Sequence, residues 1–189
     1  MKFRQLPVFA TIIVLAAVAT MIALGFWQLG RLQEKEAQLA IYSAAQTDTS
    51  EIAYPRDKAS LETALYRRSN FECAQVTDIR SVAGSSAQGR SGWAHKAECI
   101  LTDGTTGEVA LGWSRDPEAP EYSGGKVAGI LAPGGRLVAD PPLAGLEPLA
   151  KPDPADIPNN HLAYAGQWFF FAITALVIFI LAVRRRGKP

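Results

Sequence analysis

The sequence predicts a membrane protein in which two transmembrane helices flank a small, mainly β (α+β) exported domain. Two uncharged apolar runs carry this prediction, residues 6–29 and 164–183, because a helix needs about 20 such residues to cross a bilayer core. The third observation is the charge distribution. The flanks outside the two runs carry only basic charges, whereas residues 31–163 include 13 basic and 18 acidic side chains.

This charge distribution also predicts the orientation of the chain. Cytoplasmic flanks of transmembrane helices are enriched in Lys and Arg, so we expect residues 1–5 and the basic tail 184–189 in the cytoplasm. Residues 30–163 then form an exported domain, which in a Gram-negative cell is a periplasmic domain anchored in the inner membrane. No basic face remains on that domain, which argues against nucleic-acid binding.

The first apolar run has a competing interpretation as a cleaved signal peptide. Residues 17–19, Ala-Val-Ala, could act as a cleavage site, but residues 21–24 continue the apolar run where a cleavage region should turn polar. We therefore predict an uncleaved anchor. The apolar pattern beyond it predicts that the helix continues to about Ala45.

The exit of this first helix carries an interfacial aromatic residue and two basic residues. Trp27 lies where such aromatics are enriched, and Arg31 and Lys35 follow one helical turn apart. Two interpretations are open: a solvated stalk, or a pair of cations that meet anionic groups such as lipid phosphates or haem propionates.

The segment between the two runs is long enough for one small domain. A short helix is predicted over 57–65, and residues 84–92 have the composition of a flexible loop. Strands are predicted at 66–73, 75–83, 93–101, 108–113, 126–131 and 136–139. These elements predict a small open barrel or a sandwich.

The two cysteines and two histidines limit the metal and redox chemistry of the chain. The sequence has no C-x-x-C, which argues against thioredoxin-type chemistry and the usual zinc pattern, and no C-x-x-C-H for covalent haem. Cys73 and Cys99 could form one disulfide after export, but two buried thiols would look identical in sequence. His95 has no second ligand nearby and is interpreted as a structural histidine.

Proline is concentrated before the second apolar run. Seven of the twelve prolines lie in residues 132–158. Such a composition predicts an extended, semi-rigid tether that returns the chain to the membrane.

The residues at the N-terminal end of the second predicted helix form a distinctive pattern. Asn159 or Asn160 can cap the new helix after a proline, and His161, Tyr164 and Trp168 then share one helical face. An imidazole at the membrane surface with an aromatic ring two turns deeper could ligate and shelter a flat metal cofactor such as haem. The alternative is an ordinary interfacial belt, in which Tyr and Trp are enriched whatever the protein does.

No motif for catalysis is present in the sequence. We find no carboxylate pair, Ser/His/Asp set, phosphate-binding glycine loop or H-E-x-x-H pattern. The chain is therefore predicted not to be an enzyme.

Two motifs resemble those of a known family. Gly25-Phe26-Trp27-Gln28 followed by Arg31 and Lys35 is similar to the G-x-W-Q-x-x-R-x-x-x-K signature of the surfeit locus protein family. The segment N-N-H-L-A-Y-A-G-Q-W-F, residues 159–169, is similar to that family's N-N-H-x-x-Y-A-x-x-W-F signature. Both motifs occur in the family's order around one exported domain.

The resemblance implies an assembly factor for cytochrome c oxidase that handles haem a. It places the haem iron ligand on His161 with Trp168 beside it, and adds Tyr164, Trp27, Gln28 and Arg31 as surrounding cofactor-binding residues. Implied partners are the largest oxidase subunit, haem a synthase and membrane lipid. A scaffold that assists the oxidase without touching haem is the alternative.

The chain departs from the family pattern in its middle. Only Gly112-Trp113 of an N-R-G-W segment is present, and the proline-rich residues 132–158 occupy the place of an N-D-x-x-x-x-x-W stretch. The contacts of the exported domain are therefore the part of the resemblance with the least sequence support.

Overall fold

The computed structural model describes residues 8–186 of the chain. These residues form two compact units, a helix unit of residues 8–38 with 158–186 and a β unit of residues 39–157. The predicted cytoplasmic residues 1–5, the first two residues of the run 6–29 and the tail residues 187–189 lie outside the described residues.

Two long helices contain the two apolar runs. Helix α1 spans Val8–Thr47, two residues beyond the predicted end, and helix α3 spans His161–Arg186. Both are long and apolar enough to cross a membrane, and most of their large apolar side chains are exposed. Exposed apolar surface of this kind is expected where lipid is the solvent. The two helices thus fit a membrane-anchored protein.

The helix unit is packed through small residues. A Cβ atom added to Gly25 would lie 2.5 Å from Cε1 of Phe169, and the rings of Phe26 and Phe169 are 5.4 Å apart in an edge-to-face arrangement. On α3, Ala165 and Ala172 are buried. Small residues at the contact let two helices approach closely where no hydrophobic effect drives them together.

The β unit contains one mixed sheet and one short helix, α2, at Lys58–Ala64. Its strands are β1 Glu51–Ala53, β2 Arg68–Ser85, β3 Ser91–Leu101, β4 Thr106–Ser114, β5 Gly125–Leu131 and β6 Arg136–Ala139. The sheet order is β1-β2-β3-β4-β6-β5, and β5 also pairs with β2. This last pairing joins strands β2 to β6 in a closed ring. Of the two predicted architectures, the barrel is the one formed, and it is closed rather than open.

The strand prediction missed β1 at Glu51–Ala53 and needs two further corrections. The strands expected at 66–73 and 75–83 are one continuous strand, β2, which passes through irregularities where Ala74 and Thr77 have no partner in the register with β3. Bulges of this type let a strand bend without ending. The flexible loop expected at 84–92 is shorter, because β2 runs to Ser85 and β3 begins at Ser91.

The barrel interior holds the two cysteines. Cys73 and Cys99 are joined in a disulfide, and both are almost fully buried in the hydrophobic core. Their neighbours in that core include Leu101, Val109 and Leu131. The disulfide links β2 to β3 beside the first irregularity of β2.

The proline-rich segment 132–158 is not the extended, semi-rigid tether that its composition predicts, because much of it is hydrogen-bonded to the barrel. It contains β6, and beyond it the N–H of Leu143 bonds to the carbonyl of Leu111 at 2.8 Å. Glu147 and Trp113 exchange two backbone hydrogen bonds of 3.0 and 2.7 Å. Proline removes only its own N–H, so the residues between prolines still pair with β4 and hold the segment against the barrel.

His95 is structural, as its isolation in the sequence predicts. The side chain is fully buried, with Nδ1 2.9 Å from Oγ of Ser81 and Nε2 2.8 Å from Oγ of Ser114. Ser114 Oγ in turn bonds to the carbonyl of Asp116 at 2.6 Å. Burial lowers the pKa of His95, because desolvation disfavours the charged imidazolium.

Candidate functional site

The candidate site lies in the helix unit, where α3 begins. His161 is the first residue of α3, and the carbonyl of Asn160 accepts the N–H of Tyr164 at 3.1 Å. The predicted cap by an asparagine side chain is not formed among the described residues: Oδ1 of Asn159 is buried without a hydrogen-bond partner. The helix entry is therefore held by backbone bonds and by the contact of His161 described next.

His161 makes a hydrogen bond to the other helix of the unit. Its Nδ1 lies 2.7 Å from Oε1 of Gln28, a residue 133 positions away in the sequence. An amide oxygen only accepts, so Nδ1 carries the proton in this arrangement and Nε2 carries the lone pair. Within the described residues, Nε2 of His161 has no hydrogen-bond partner.

The local sequence of α1 explains why Gln28 reaches His161. Gly25 lies one turn before Gln28 and admits the ring of Phe169 at a distance that a side chain would prevent. Gly25 contacts Phe169 and Gln28 contacts His161, so the residue number increases along α1 as it decreases along α3. The two helices therefore pack antiparallel, and Gln28 and His161 are both partly buried where they meet.

The remaining predicted site residues lie in the same two helices, and within the described residues none of them hydrogen-bonds to this pair through its side chain. The side chains of Trp27 and Tyr164 are 58% and 50% exposed. Trp168 is half-buried, with its ring 6.4 Å from that of Phe171. Arg31 is ion-paired with Glu34 on its own helix. Of the predicted set, Gln28 is the residue whose side chain hydrogen-bonds to His161 within residues 8–186.

The hydrogen bond between Gln28 and His161 was not predicted from either motif. Periodicity within α3 groups His161 with Tyr164 and Trp168, but it carries no information about the facing helix. The available signal was a polar side chain near the outer end of each apolar run, Gln28 within the first and His161 three residues before the second, since polar groups in such positions hydrogen-bond across helices.

The described residues contain no cluster of several metal-ligating side chains. No group of three or more His, Cys, Asp or Glu side chains converges in residues 8–186.

A comparison with protein families matches the SURF1 family over residues 15–173. The match covers both motif regions and the whole β unit, so the resemblance to the surfeit locus family is confirmed. That family is known for cytochrome oxidase assembly and is not a catalytic family. A search of curated proteins finds no match.

Proposed function

We propose, because this chain belongs to the SURF1 family, that it binds haem a and assists its insertion into the largest subunit of cytochrome c oxidase. Membership in this family supports the general part of the proposal, a role in cytochrome oxidase assembly. The finer part, haem a binding through His161, rests on the geometry of the helix unit.

One observation carries the haem proposal: the hydrogen bond from Nδ1 of His161 to Oε1 of Gln28, at 2.7 Å. Metal-ligating histidines commonly donate their second ring N–H to an acceptor that fixes the tautomer and the ring orientation. Gln28 does this here, and it leaves the lone pair of Nε2 available. A bound haem would supply an iron that accepts this lone pair.

The side chains around His161 suit a flat apolar ligand with anionic groups. Trp27 and Arg31 are one turn apart on α1, as are Tyr164 and Trp168 on α3. Helical periodicity places Trp27 and Arg31 on one face of α1, and Tyr164 and Trp168 on one face of α3. Three aromatic rings and one cation are thus offered by the two helices.

Arg31 is the proposed partner of the haem propionates. Its present partner Glu34 lies on the same helix, and both side chains are at least half exposed. Exposed ion pairs contribute only about 0–1 kcal/mol, so Arg31 can exchange Glu34 for a propionate at little cost.

The proposed location follows from the charge distribution. Both termini lie in the cytoplasm, the β unit lies in the periplasm, and α1 and α3 cross the inner membrane. His161 then lies at the outer surface of the bilayer, among membrane lipids. Haem a synthase is the proposed donor of the cofactor.

A scaffold function without haem binding is the second candidate. It is favoured by the same hydrogen bond, because a link between Gln28 and His161 holds the two helices together whether or not a ligand is present. In that case the β unit alone would hold the oxidase subunit during assembly.

The visible spectrum of the full-length protein separates the two candidates. The protein is purified from cells that make haem a, as wild type, as His161→Ala and as Leu162→Ala. Leu162 is adjacent in the same turn and 63% exposed, which makes it a matched control. We expect a haem a Soret band in the wild type and in Leu162→Ala, and its loss or shift in His161→Ala. A colourless wild type, or an unchanged band in His161→Ala, supports the scaffold.

A further inference from the structure

The disulfide of the β unit is covered by strands that come later in the chain. Cys73 on β2 and Cys99 on β3 are only 2% and 1% exposed. Strand β5 runs alongside β2 at this point, with Gly125 opposite Cys73 in the register. A Cβ atom added to Gly124 would lie 2.5 Å from the carbonyl oxygen of Cys73 and 3.5 Å from its sulfur. The backbone that leads into β5 therefore packs directly on Cys73.

The hydrophobic core of the closed barrel completes this enclosure. Side chains of β5 and β6, among them Val127, Leu131 and Leu137, are buried in the same cluster as both cysteines. Cys99 borders a surface cleft, but because it is only 1% exposed the cleft gives almost no access to it. Both sulfurs are thus enclosed once β5 and β6 are in place.

Formation of a disulfide by exchange requires access to the cysteine sulfurs. One thiolate of the chain attacks the disulfide of an oxidised carrier, and a mixed disulfide forms as one carrier thiolate leaves. The second thiolate of the chain then attacks the mixed disulfide and displaces the other carrier thiolate. The two cysteines lose two electrons and two protons, and the disulfide of the carrier is reduced to a dithiol. Each attack needs a thiolate that the carrier can reach, and the closed barrel does not meet this condition.

The β2–β3 hairpin brings the cysteines together without the later strands. The two strands are neighbours in the chain, and their register places Cys73 opposite Leu101 and Cys99 opposite Val76. Pairing of neighbouring strands closes a short loop, so it precedes pairing between strands that are distant in the chain. The N-terminal part of a chain is also made first, so β2 and β3 are available before β5 and β6.

We propose that the Cys73–Cys99 disulfide is made in the β2–β3 hairpin, before β5 and β6 close the barrel, by exchange with an oxidised disulfide carrier of the periplasm. The inference rests on the periplasmic location of the β unit in the proposed function and is independent of haem binding. An oxidising compartment supplies carriers of this class. The chain is thus the substrate of a dithiol oxidation during its export, and the bond then holds β2 against β3 while the later strands add.

Thiol trapping in a pulse–chase experiment tests this order on the full-length chain. Cells that express the protein are labelled briefly, and free thiols are blocked at intervals with a maleimide-linked polyethylene glycol, which shifts reduced chains on a gel. Two glycine-to-valine variants are compared with the wild type. A Cβ atom at Gly129 would overlap the carbonyl oxygen of Val138, so Gly129→Val blocks the pairing of β5 with β6. A Cβ atom at Gly84 would lie 2.7 Å from Cβ of Ala94, so Gly84→Val disturbs the β2–β3 hairpin instead.

We expect the half-time of disulfide formation to stay within about twofold of the wild type in Gly129→Val and to be at least about fivefold longer in Gly84→Val. A delay in Gly129→Val as long as that in Gly84→Val would overturn formation before closure, because the assembled barrel would then be what joins the cysteines. Equal half-times in all three chains would overturn the role of the hairpin.

Dithiothreitol added after the chase tests the enclosure itself. We expect it to reduce the disulfide of Gly129→Val and to leave that of the wild type intact, and equal reduction of both would overturn enclosure by the later strands. A wild type whose cysteines stay reduced in cells would overturn this inference together with the periplasmic location of the β unit. The haem a spectrum is recorded separately, so a colourless protein with a normal disulfide would overturn only the haem proposal.

Discussion

Gln28→Leu is the substitution that separates a ligand-orienting role of Gln28 from a purely structural one. Leucine keeps the approximate size and the helix propensity of glutamine but cannot accept the N–H of His161. The partly buried Nδ1 is then unpaired, and nothing selects the tautomer that leaves Nε2 available.

The expected magnitude follows from the lost contact. Removing an outer-shell partner of a metal-ligating histidine weakens metal affinity about 10- to 100-fold, which corresponds to about 1.4–2.7 kcal/mol. If the bond only joins the helices, its loss costs about 0.6 kcal/mol of helix association and leaves haem affinity unchanged.

The assay is a titration of haem a into the full-length protein in lipid nanodiscs, followed by Soret absorbance. Gln33→Leu is the matched control, because Gln33 is exposed on the same helix. We expect the Kd to rise at least tenfold in Gln28→Leu and to change by less than twofold in Gln33→Leu. Equal Kd values in Gln28→Leu and wild type would refute the orienting role.

Three further predictions concern stability. Replacing both Cys73 and Cys99 by alanine should lower the free energy of unfolding by about 3.5 kcal/mol, because the disulfide closes a loop with a sequence separation of 26 residues. Urea unfolding measures this loss, and a loss below about 1 kcal/mol would contradict the prediction. His95 has a lowered pKa when folded, so the unfolded chain binds its proton first. Stability should fall as the pH drops below about 6.5, by up to about 1.4 kcal/mol per pH unit until the folded pKa is reached. Urea unfolding from pH 7.5 to 5.0 measures this, and a curve that is no flatter in His95→Leu would exclude His95 as its source. Gly25→Ala should be about 1–3 kcal/mol less stable than Gly30→Ala in SDS unfolding, because an added Cβ would meet the ring of Phe169 at position 25 and nothing at position 30. Equal stabilities of the two variants would argue against close helix packing at Gly25.

The helices were more accessible to sequence reasoning than the site between them. Apolar length fixes where α1 and α3 lie, and helical periodicity fixes which residues of α3 share a face with His161. The contact with Gln28 depends on how the two helices meet, which Gly25 and Phe169 determine jointly. A single-helix pattern cannot contain that information.

The later strands of the barrel were predicted correctly, whereas the long strand β2 and the proline-rich segment 132–158 were not. The range 136–139 coincides with β6, a short apolar run that directly follows the turn at Gly134 and Gly135. The irregularity at Ala74 was read as a break between two strands, although the partner strand continues past it. The prolines of 132–158 were read as a tether because composition gives no sign of the backbone bonds to β4.

The most direct test of the central claim is chemical rescue of His161→Gly by imidazole. The full-length variant is purified from cells that make haem a, and its visible spectrum is recorded with and without added imidazole. If His161 is the iron ligand, the variant loses the wild-type haem a spectrum and imidazole restores it. A variant that keeps the wild-type spectrum without imidazole would contradict ligation by His161.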